Sequence, residues 1–287
     1  MSMVPQSPSP SAPSAGSVAP ALDGVVDLHA LGARLSLDLR RVPVDLAAAF
    51  RTVWQHCLDP LAGGVGPEEE VDAGSFVVAD RVGESLLAGD EDAPARILMR
   101  ATQSITKALI AAQAGRVLML HAGALCDPVT GASVVYVAPG GTGKTTLSRT
   151  FGLTLGYLTD ETVAITEDRR ILPYRKPLSV RRDPHRGLKD ELPAVSLGLL
   201  APPRRPWVAG VLVLRRDPEM HEARVEPMDP LDAIVTLAPE TSSLPLLPRP
   251  LRRLAELGEA TGGFRLARYA EAVDLEPVIR DITGRVR

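Results

Sequence analysis

Apolar and polar residues alternate along this chain with two different periods, and together these periods predict a mixed α/β fold. Near the start, residues 24–31 and 33–39 follow the period of two that is typical of strands, on either side of Gly32. Residues 44–58 and 93–115 instead repeat apolar side chains every three to four positions, as helices do. The pattern therefore predicts a hairpin, a helix and then a longer helix.

The same reasoning divides the rest of the chain into short elements. Strands are predicted at 75–79, 117–120, 133–137, 162–166, 171–174, 178–180, 207–214 and 264–269, and helices at 251–260 and 275–282. Asp229 followed by Pro230 is typical of a helix start. The apolar face of that helix is expected to consist of Leu231, Ile234, Val235 and Leu237.

Composition narrows the functions that this chain can have. Its 287 residues, 45% of them hydrophobic and 23% charged, predict a globular protein with a sizeable core. A net charge of −3 and only 3% aromatic residues make nucleic acid an unexpected partner. There is no apolar run long enough to cross a membrane and no secretory leader pattern, so we expect a cytoplasmic protein that does not bind membranes. Cys57 and Cys126 lack metal-ligand spacing and are expected to be small buried side chains.

The most specific motif follows the predicted strand at 133–137. It reads A-P-G-G-T-G-K-T-T, and helical spacing begins at its last residue. Glycines let backbone N–H groups face a ligand without an intervening side chain, and a helix N-terminus adds partial positive charge. Strand, glycine loop and helix in this order predict a phosphate-binding loop that uses ATP and Mg²⁺, although an ordinary tight turn is the alternative. The residues expected to hold the nucleotide are Gly140, Gly141, Thr142, Gly143, Lys144, Thr145 and Thr146.

Two acidic residues, Asp160 and Glu161, lie shortly after this loop. A helix of about three turns and a short turn fill the interval, so the two carboxylates are expected to return to the sheet beside the loop. There they would bind Mg²⁺ together with Thr145. A solvated acidic turn is the alternative for the pair, and a buried structural histidine is the alternative for His121, which follows the strand at 117–120.

His121, the loop A-P-G-G-T-G-K-T-T and the segment Y-L-T-D-E-T-V-A-I together resemble the HPr kinase/phosphorylase family. They are most similar to its small kinase-like relatives from bacterial peptide-biosynthesis clusters. The resemblance implies a P-loop core like that of phosphoenolpyruvate carboxykinase. It also implies that Asp160 accepts a proton from a serine hydroxyl and binds metal, and that His121 supports this carboxylate.

The resemblance covers roughly residues 115 to 180 and suggests a division of the chain. We expect a disordered tail at 1–22, because this segment holds no charged residue, five Pro and six Ser. A small α+β module at 23–92 and an HPr kinase-like domain at 93–287 would follow. The basic segment 169–189 is either a solvated face or a source of cations for the site, with Lys176, Arg181 and Arg182 as candidates.

These motifs predict an ATP-dependent kinase in which Lys144, Asp160 and His121 act in transfer to a hydroxyl group. The acceptor implied by the resemblance is a serine in a protein, in a peptide or as the free amino acid. A nucleotide-binding regulatory protein without turnover and a small-metabolite kinase remain the alternatives. Assembly into a homo-oligomer stays open.

Overall fold

The computed structural model describes residues 24–81, 91–183 and 187–287. Its strands and helices form the mixed α/β fold that the sequence predicts, which confirms the fold class. The tail predicted at 1–22 lies outside the described residues. Among the described residues, no helix combines the length and the apolar character needed to span a membrane.

The elements have the following bounds. The strands are β1 (Val25–Ala30), β2 (Ala33–Asp38), β3 (Val71–Val77), β4 (Leu118–Leu120), β5 (Ala122–Cys126), β6 (Ala132–Val137), β7 (Gly156–Thr159), β8 (Val163–Ile165), β9 (Ile171–Leu172), β10 (Leu178–Asp183), β11 (Leu188–Leu192), β12 (Trp207–Arg216), β13 (Arg224–Pro227), β14 (Thr241–Ser242) and β15 (Arg265–Tyr269). The helices are α1 (Val44–Val53), α2 (Ala93–Gln113), α3 (Lys144–Phe151), α4 (Pro230–Leu237), α5 (Pro250–Thr261) and α6 (Glu276–Thr283).

The N-terminal part is a three-stranded sheet in the order β1-β2-β3, packed against α2. Leu31 and Gly32 both have positive φ (54° and 68°) in the tight turn between β1 and β2, so the predicted hairpin is confirmed. The side chain of Gln113, at the end of α2, donates hydrogen bonds to the carbonyl oxygens of these two residues at 2.7 and 3.0 Å. The last turn of α2 is thus fixed to the hairpin.

A six-stranded sheet in the order β13-β15-β12-β6-β5-β7 forms the centre of the larger part. Strands β6, β12 and β15 run parallel, and β6 is completely buried, as expected for a continuous apolar run. Val134 and Tyr136 face α3 and α6, whereas Val135 and Val137 face α5 and a second sheet, β14-β4-β8-β9. The two cores fix β6, and therefore the loop that follows it, from both sides.

Several predicted elements differ from the observed ones in extent. The helix predicted at 44–58 ends at Val53 and continues as a short 3₁₀ turn at 55–57. Strand β3 begins at Val71, four residues before the predicted strand. The predicted apolar face of α4 is wrong in part, because Leu231 and Val235 are 66% and 70% exposed. Strands β5, β7, β11, β13 and β14 were not predicted.

Candidate functional site

The glycine loop connects β6 to α3 at the carboxyl end of the parallel strands, where open α/β sheets commonly bind ligands. Gly141 and Gly143 have φ of 82° and 101°, a conformation that residues with a side chain rarely adopt. The first turn of α3 leaves backbone N–H groups without partners inside the helix. The local backbone therefore has the form of an anion-binding loop.

Gly140 is needed neither for its conformation nor for packing within the protein. Its φ is not positive, and a Cβ atom built there would have no described heavy atom within 4 Å. It lines a cavity of about 550 Å³ together with the other loop residues. A side chain at this position would project into that space, so the glycine fits a loop whose backbone a phosphate group approaches closely.

The loop is held from outside by Tyr269, at the end of β15. The Tyr269 hydroxyl donates a hydrogen bond to the carbonyl oxygen of Thr142 at 3.1 Å, and the Thr142 hydroxyl donates to the carbonyl of Pro139 at 2.8 Å. Thr142 therefore stabilises the loop and does not line the cavity, whereas Thr146 does. Both residues were predicted to bind nucleotide, and both roles stay predictions; Thr146 is the one that lines the cavity.

Lys144 is buried at the start of α3, with 7% of its surface exposed. Its ammonium group donates hydrogen bonds to the carbonyl oxygens of Ala138 and Pro139, which open the same loop. Burial lowers the pKa of Lys144 and outweighs the nearby carboxylates, of which that of Glu240 has the strongest opposing effect. The side chain thus folds back along the loop and needs only a side-chain rotation to meet a phosphate in the cavity.

Thr145 and Asp160 are joined directly: the Thr145 hydroxyl donates to Asp160 Oδ2 at 2.7 Å. The second oxygen, Oδ1, accepts a hydrogen bond from the Tyr157 hydroxyl at 3.1 Å and lies 3.3 Å from Nζ of Lys176. The structure therefore places Asp160 beside the glycine loop, where the spacing of the sequence predicted it. Glu161, the next residue, has a side chain that is 35% exposed and lies 3.0 Å from the same ammonium group.

Lys176 is the residue that organises these carboxylates. It is 1% exposed and lies between Asp160 and Glu161. Burial by itself would lower the pKa of Lys176, but the charges of Asp160, Glu161 and Glu191 together raise it above its ordinary value. Conversely, burial would raise the pKa of Asp160, but the Lys176 ammonium and the Thr145 hydroxyl lower it. The pair is therefore an ammonium and a carboxylate at neutral pH.

Sequence reasoning identified Lys176 only as one of three cations in a basic segment. The structure separates the three: Lys176 and Arg181 line the cavity, whereas Arg182 is turned to the surface and paired with Asp190 and Asp92. In the sequence, Lys176 is distinguished only by its place two residues after the predicted strand at 171–174. Because Lys176 is distant in sequence from Asp160 and Glu161, the sequence does not indicate that it contacts them.

His121 lies where the chain passes from β4 in the smaller sheet to β5 in the larger one. Its backbone N–H donates to the carbonyl of Glu240 at 2.6 Å, and the next residue, Ala122, donates to the carbonyl of Glu161 at 3.1 Å. The ring lines the cavity. Among the described residues, no hydrogen bond or ion pair connects the His121 side chain to Asp160, so its supporting role stays a prediction.

The donor set fits Mg²⁺ when nucleotide phosphates supply further ligands. Magnesium bound with a nucleotide commonly uses one or two carboxylates, keeps several waters and takes phosphate oxygens. Thr145, Asp160 and Glu161 offer one hydroxyl and two carboxylates on one side of the cavity. No group of three or more His, Cys, Asp or Glu side chains with metal-binding geometry occurs in residues 24–81, 91–183 and 187–287, so these side chains alone form no complete metal cage.

Comparisons with known proteins add little to this geometry. No family model matches the sequence, and no curated protein matches it. One solved structure that resembles the chain is the HPr(Ser) kinase/phosphatase from Coxiella burnetii, at 12% identity, over 57% of this chain and 88% of that one, with a TM-score of 0.32. That protein belongs to the family whose motifs the sequence resembles. A TM-score this low supports no conclusion about a common fold or activity.

Proposed function

We propose that this protein is an ATP-dependent kinase that transfers the γ-phosphoryl group of Mg-ATP to a hydroxyl group. The observation that carries the proposal is the 2.7 Å hydrogen bond from Thr145 to Asp160, directly beside a glycine loop that starts a helix. P-loop enzymes hold Mg²⁺ between a Ser or Thr hydroxyl of the loop and a nearby aspartate, and Thr145 and Asp160 match these two groups. The alternative, an ordinary tight turn in which Lys144 has no function, does not explain why the Asp160 carboxylate is buried beside the loop with Lys176 as its partner.

In this proposal the loop amides and Lys144 hold the β and γ phosphates, and Thr145, Asp160 and Glu161 hold Mg²⁺. The metal ion, when bound, neutralises negative charge on the phosphate oxygens. Because phosphoryl transfer requires little covalent help from the protein, positioning and electrostatic stabilisation are the main contributions of these side chains. Lys144 exchanges its bonds to the Ala138 and Pro139 carbonyls for bonds to phosphate.

Asp160 orients the acceptor hydroxyl and takes its proton. The low pKa of this carboxylate keeps it ionised, and in a largely dissociative transition state the hydroxyl loses its proton late, so a strong base is not required. Lys176 is a positioning residue that fixes the carboxylate. His121 lies in the same cavity and supports Asp160 from there. The acceptor that the sequence motifs imply is serine, in a protein, in a peptide or free.

The first test measures thermal unfolding with and without Mg-ATP for the wild type, Asp160→Asn and the control Asp168→Asn. A ligand at one hundred times its Kd stabilises by about 2.7 kcal/mol, which corresponds to roughly 5 °C or more for a chain of this size. We expect a shift in all three proteins, with a smaller one in Asp160→Asn, which loses one metal ligand while the loop and Lys144 still hold the phosphates. Asp168 is a surface residue paired with Arg170, so Asp168→Asn should match the wild type. Absence of a shift in the wild type would refute the nucleotide site.

The second test measures phosphorylated product by mass spectrometry after incubation with Mg-ATP and free serine or seryl peptides. Wild type and Asp168→Asn are expected to transfer phosphate, and Asp160→Asn is expected to bind Mg-ATP without transfer. Full transfer by Asp160→Asn would remove it as the proton acceptor. Binding without transfer to any acceptor in the wild type would favour the regulatory nucleotide-binding alternative.

A further inference from the structure

Two cations of the β10–β11 hairpin face the cavity and form no ion pair within the described part of the chain. Arg181 and Lys189 are directly opposite each other in the antiparallel register, and both line the cavity that contains the glycine loop. Neither side chain makes a hydrogen bond or an ion pair with any residue in the described ranges. Like charges directly opposite in a sheet destabilise it, so the pair calls for an explanation.

The neighbouring residue, Arg182, is a cation of the same hairpin that does form ion pairs. Arg182 points to the other face, where its guanidinium contacts Asp190 and Asp92. Its cross-hairpin contact with Asp190 has the N–O distances of a charge-assisted hydrogen bond, 2.9 and 3.1 Å. The hairpin therefore pairs the cation on its outer face. On its inner face, Glu191 accepts a hydrogen bond from Ser179, and Arg181 and Lys189 form no ion pair within the described residues.

The charge of the cavity differs between its two sides. Asp160 and Glu161 contact the ammonium group of Lys176, and Glu191 adds a third carboxylate nearby. With Lys144 as the second ammonium group close to these carboxylates, one negative charge is in excess beside the proposed proton acceptor. Glu191 is 6% exposed and accepts a hydrogen bond from the Ser179 hydroxyl at 2.7 Å. A negatively charged acceptor would be repelled here unless cations nearby compensate for this charge.

We propose that Arg181 and Lys189 form an anion subsite that binds a carboxylate or phosphate group of the acceptor, a few bonds from the hydroxyl that is phosphorylated. The inference rests on the proposed function and specifies its substrate class. Arg presents a planar fork that matches carboxylate and phosphate, and Lys adds a second positive charge. The nucleotide phosphates already have the glycine loop, Lys144 and the start of α3, so the hairpin serves the other substrate.

The experiment measures sulfate binding by calorimetry on protein saturated with Mg-AMPPNP, a non-hydrolysable ATP analogue, at constant ionic strength. The variants are Arg181→Gln and Lys189→Gln, and the matched control is Arg182→Gln, which removes the same charge from the other face of the hairpin. We expect sulfate affinity to fall about tenfold or more in the first two, as for the loss of a charge-assisted hydrogen bond, and to change less than about twofold in the control. D-glycerate is expected to compete with sulfate and glycerol is not.

The outcomes distinguish whether Arg181 and Lys189 bind an anionic group of the acceptor or the phosphates of the nucleotide. If Arg181→Gln or Lys189→Gln weakens Mg-AMPPNP binding as much as sulfate binding, the pair serves the nucleotide and the subsite proposal is overturned. No sulfate binding to the loaded wild type, equal loss in Arg182→Gln, or competition by glycerol would overturn it as well. Failure of the wild type to bind Mg-AMPPNP would instead remove the proposed kinase function itself.

Discussion

Replacing Lys176 by Met removes the ammonium group from between two carboxylates while keeping the length of the buried side chain. Lys176 is 1% and Asp160 is 6% exposed, so the buried carboxylate of Asp160 loses a charged partner and keeps the hydrogen bonds from the Thr145 and Tyr157 hydroxyls. Breaking a buried ion pair on one side costs about 3–5 kcal/mol, which is a large part of the roughly 5–15 kcal/mol that stabilises a typical domain. We therefore expect the free energy of unfolding at neutral pH to fall by that amount.

The sign of the pH dependence is the stricter part of this prediction. In the wild type the pKa of Asp160 is lowered, so its stabilising contribution is present above the unfolded value of about 3.9 and is lost as the pH falls further. In Lys176→Met, burial raises the pKa of Asp160 above the unfolded value, so protonation on acidification relieves the penalty. The difference in stability between the two proteins should therefore shrink from about pH 8 to about pH 5, by at most about 1.4 kcal/mol per pH unit for one proton.

Urea unfolding followed by circular dichroism at several pH values measures both quantities. Arg182→Met is the matched control, because its side chain is 47% exposed and surface ion pairs contribute about 0–1 kcal/mol. The double variant Lys176→Met/Asp160→Asn is expected to recover part of the loss, since residue 160 is then uncharged while Glu161 and Glu191 still lack the Lys176 ammonium. A loss below about 1 kcal/mol, or a loss that is independent of pH, would refute the reasoning.

Three further predictions concern single features of the structure. Lys144→Ala should weaken Mg-ATP binding at least tenfold in calorimetry, as expected for the loss of a cation on phosphate; unchanged affinity would exclude a phosphate role. Gly140→Ala should weaken Mg-ATP binding without lowering Tm. Gly123→Ala should lower the free energy of unfolding in urea by about 1–3 kcal/mol, because its Cβ would overlap the buried ring of Tyr136. Burial raises the pKa of Cys57 and Cys126 to about 12, so neither thiol should react with a thiol reagent near neutral pH until urea unfolds the chain; rapid labelling of folded protein would contradict this.

The sequence was sufficient for elements whose stability depends on local pattern. The hairpin at 24–39, helix α2 and strand β6 have the expected periodicity, and all three form near the predicted bounds. Strand β5 was missed because Ala-Gly-Ala has little preference for strands. Its conformation is imposed by neighbours on both sides, and Gly123 is needed because Tyr136 leaves no room for a side chain.

Strand β11 was missed for a related reason. Its sequence Leu-Lys-Asp-Glu-Leu is polar in the middle, and its extended form depends on pairing with β10. The candidate site shows the same division. The glycine loop and Asp160 follow from motif and spacing, whereas Lys176, Arg181 and Lys189 acquire their places from contacts between distant segments. A linear pattern contains no information about such contacts.

Helix α2 contributes both to the core of the N-terminal sheet and to the lining of the cavity. One side, with Ile97, Ile105 and Leu109, is buried in the core shared with the N-terminal sheet, while Thr102 and Gln103 line the cavity. A helix fixed in this way opens to solvent only when the sheet behind it detaches, so their amides should exchange hydrogen in one cooperative step. Destabilising the N-terminal sheet would then raise the fraction of molecules with an incomplete cavity, and apparent affinity would fall in proportion to that fraction even though no residue touching the ligand had changed.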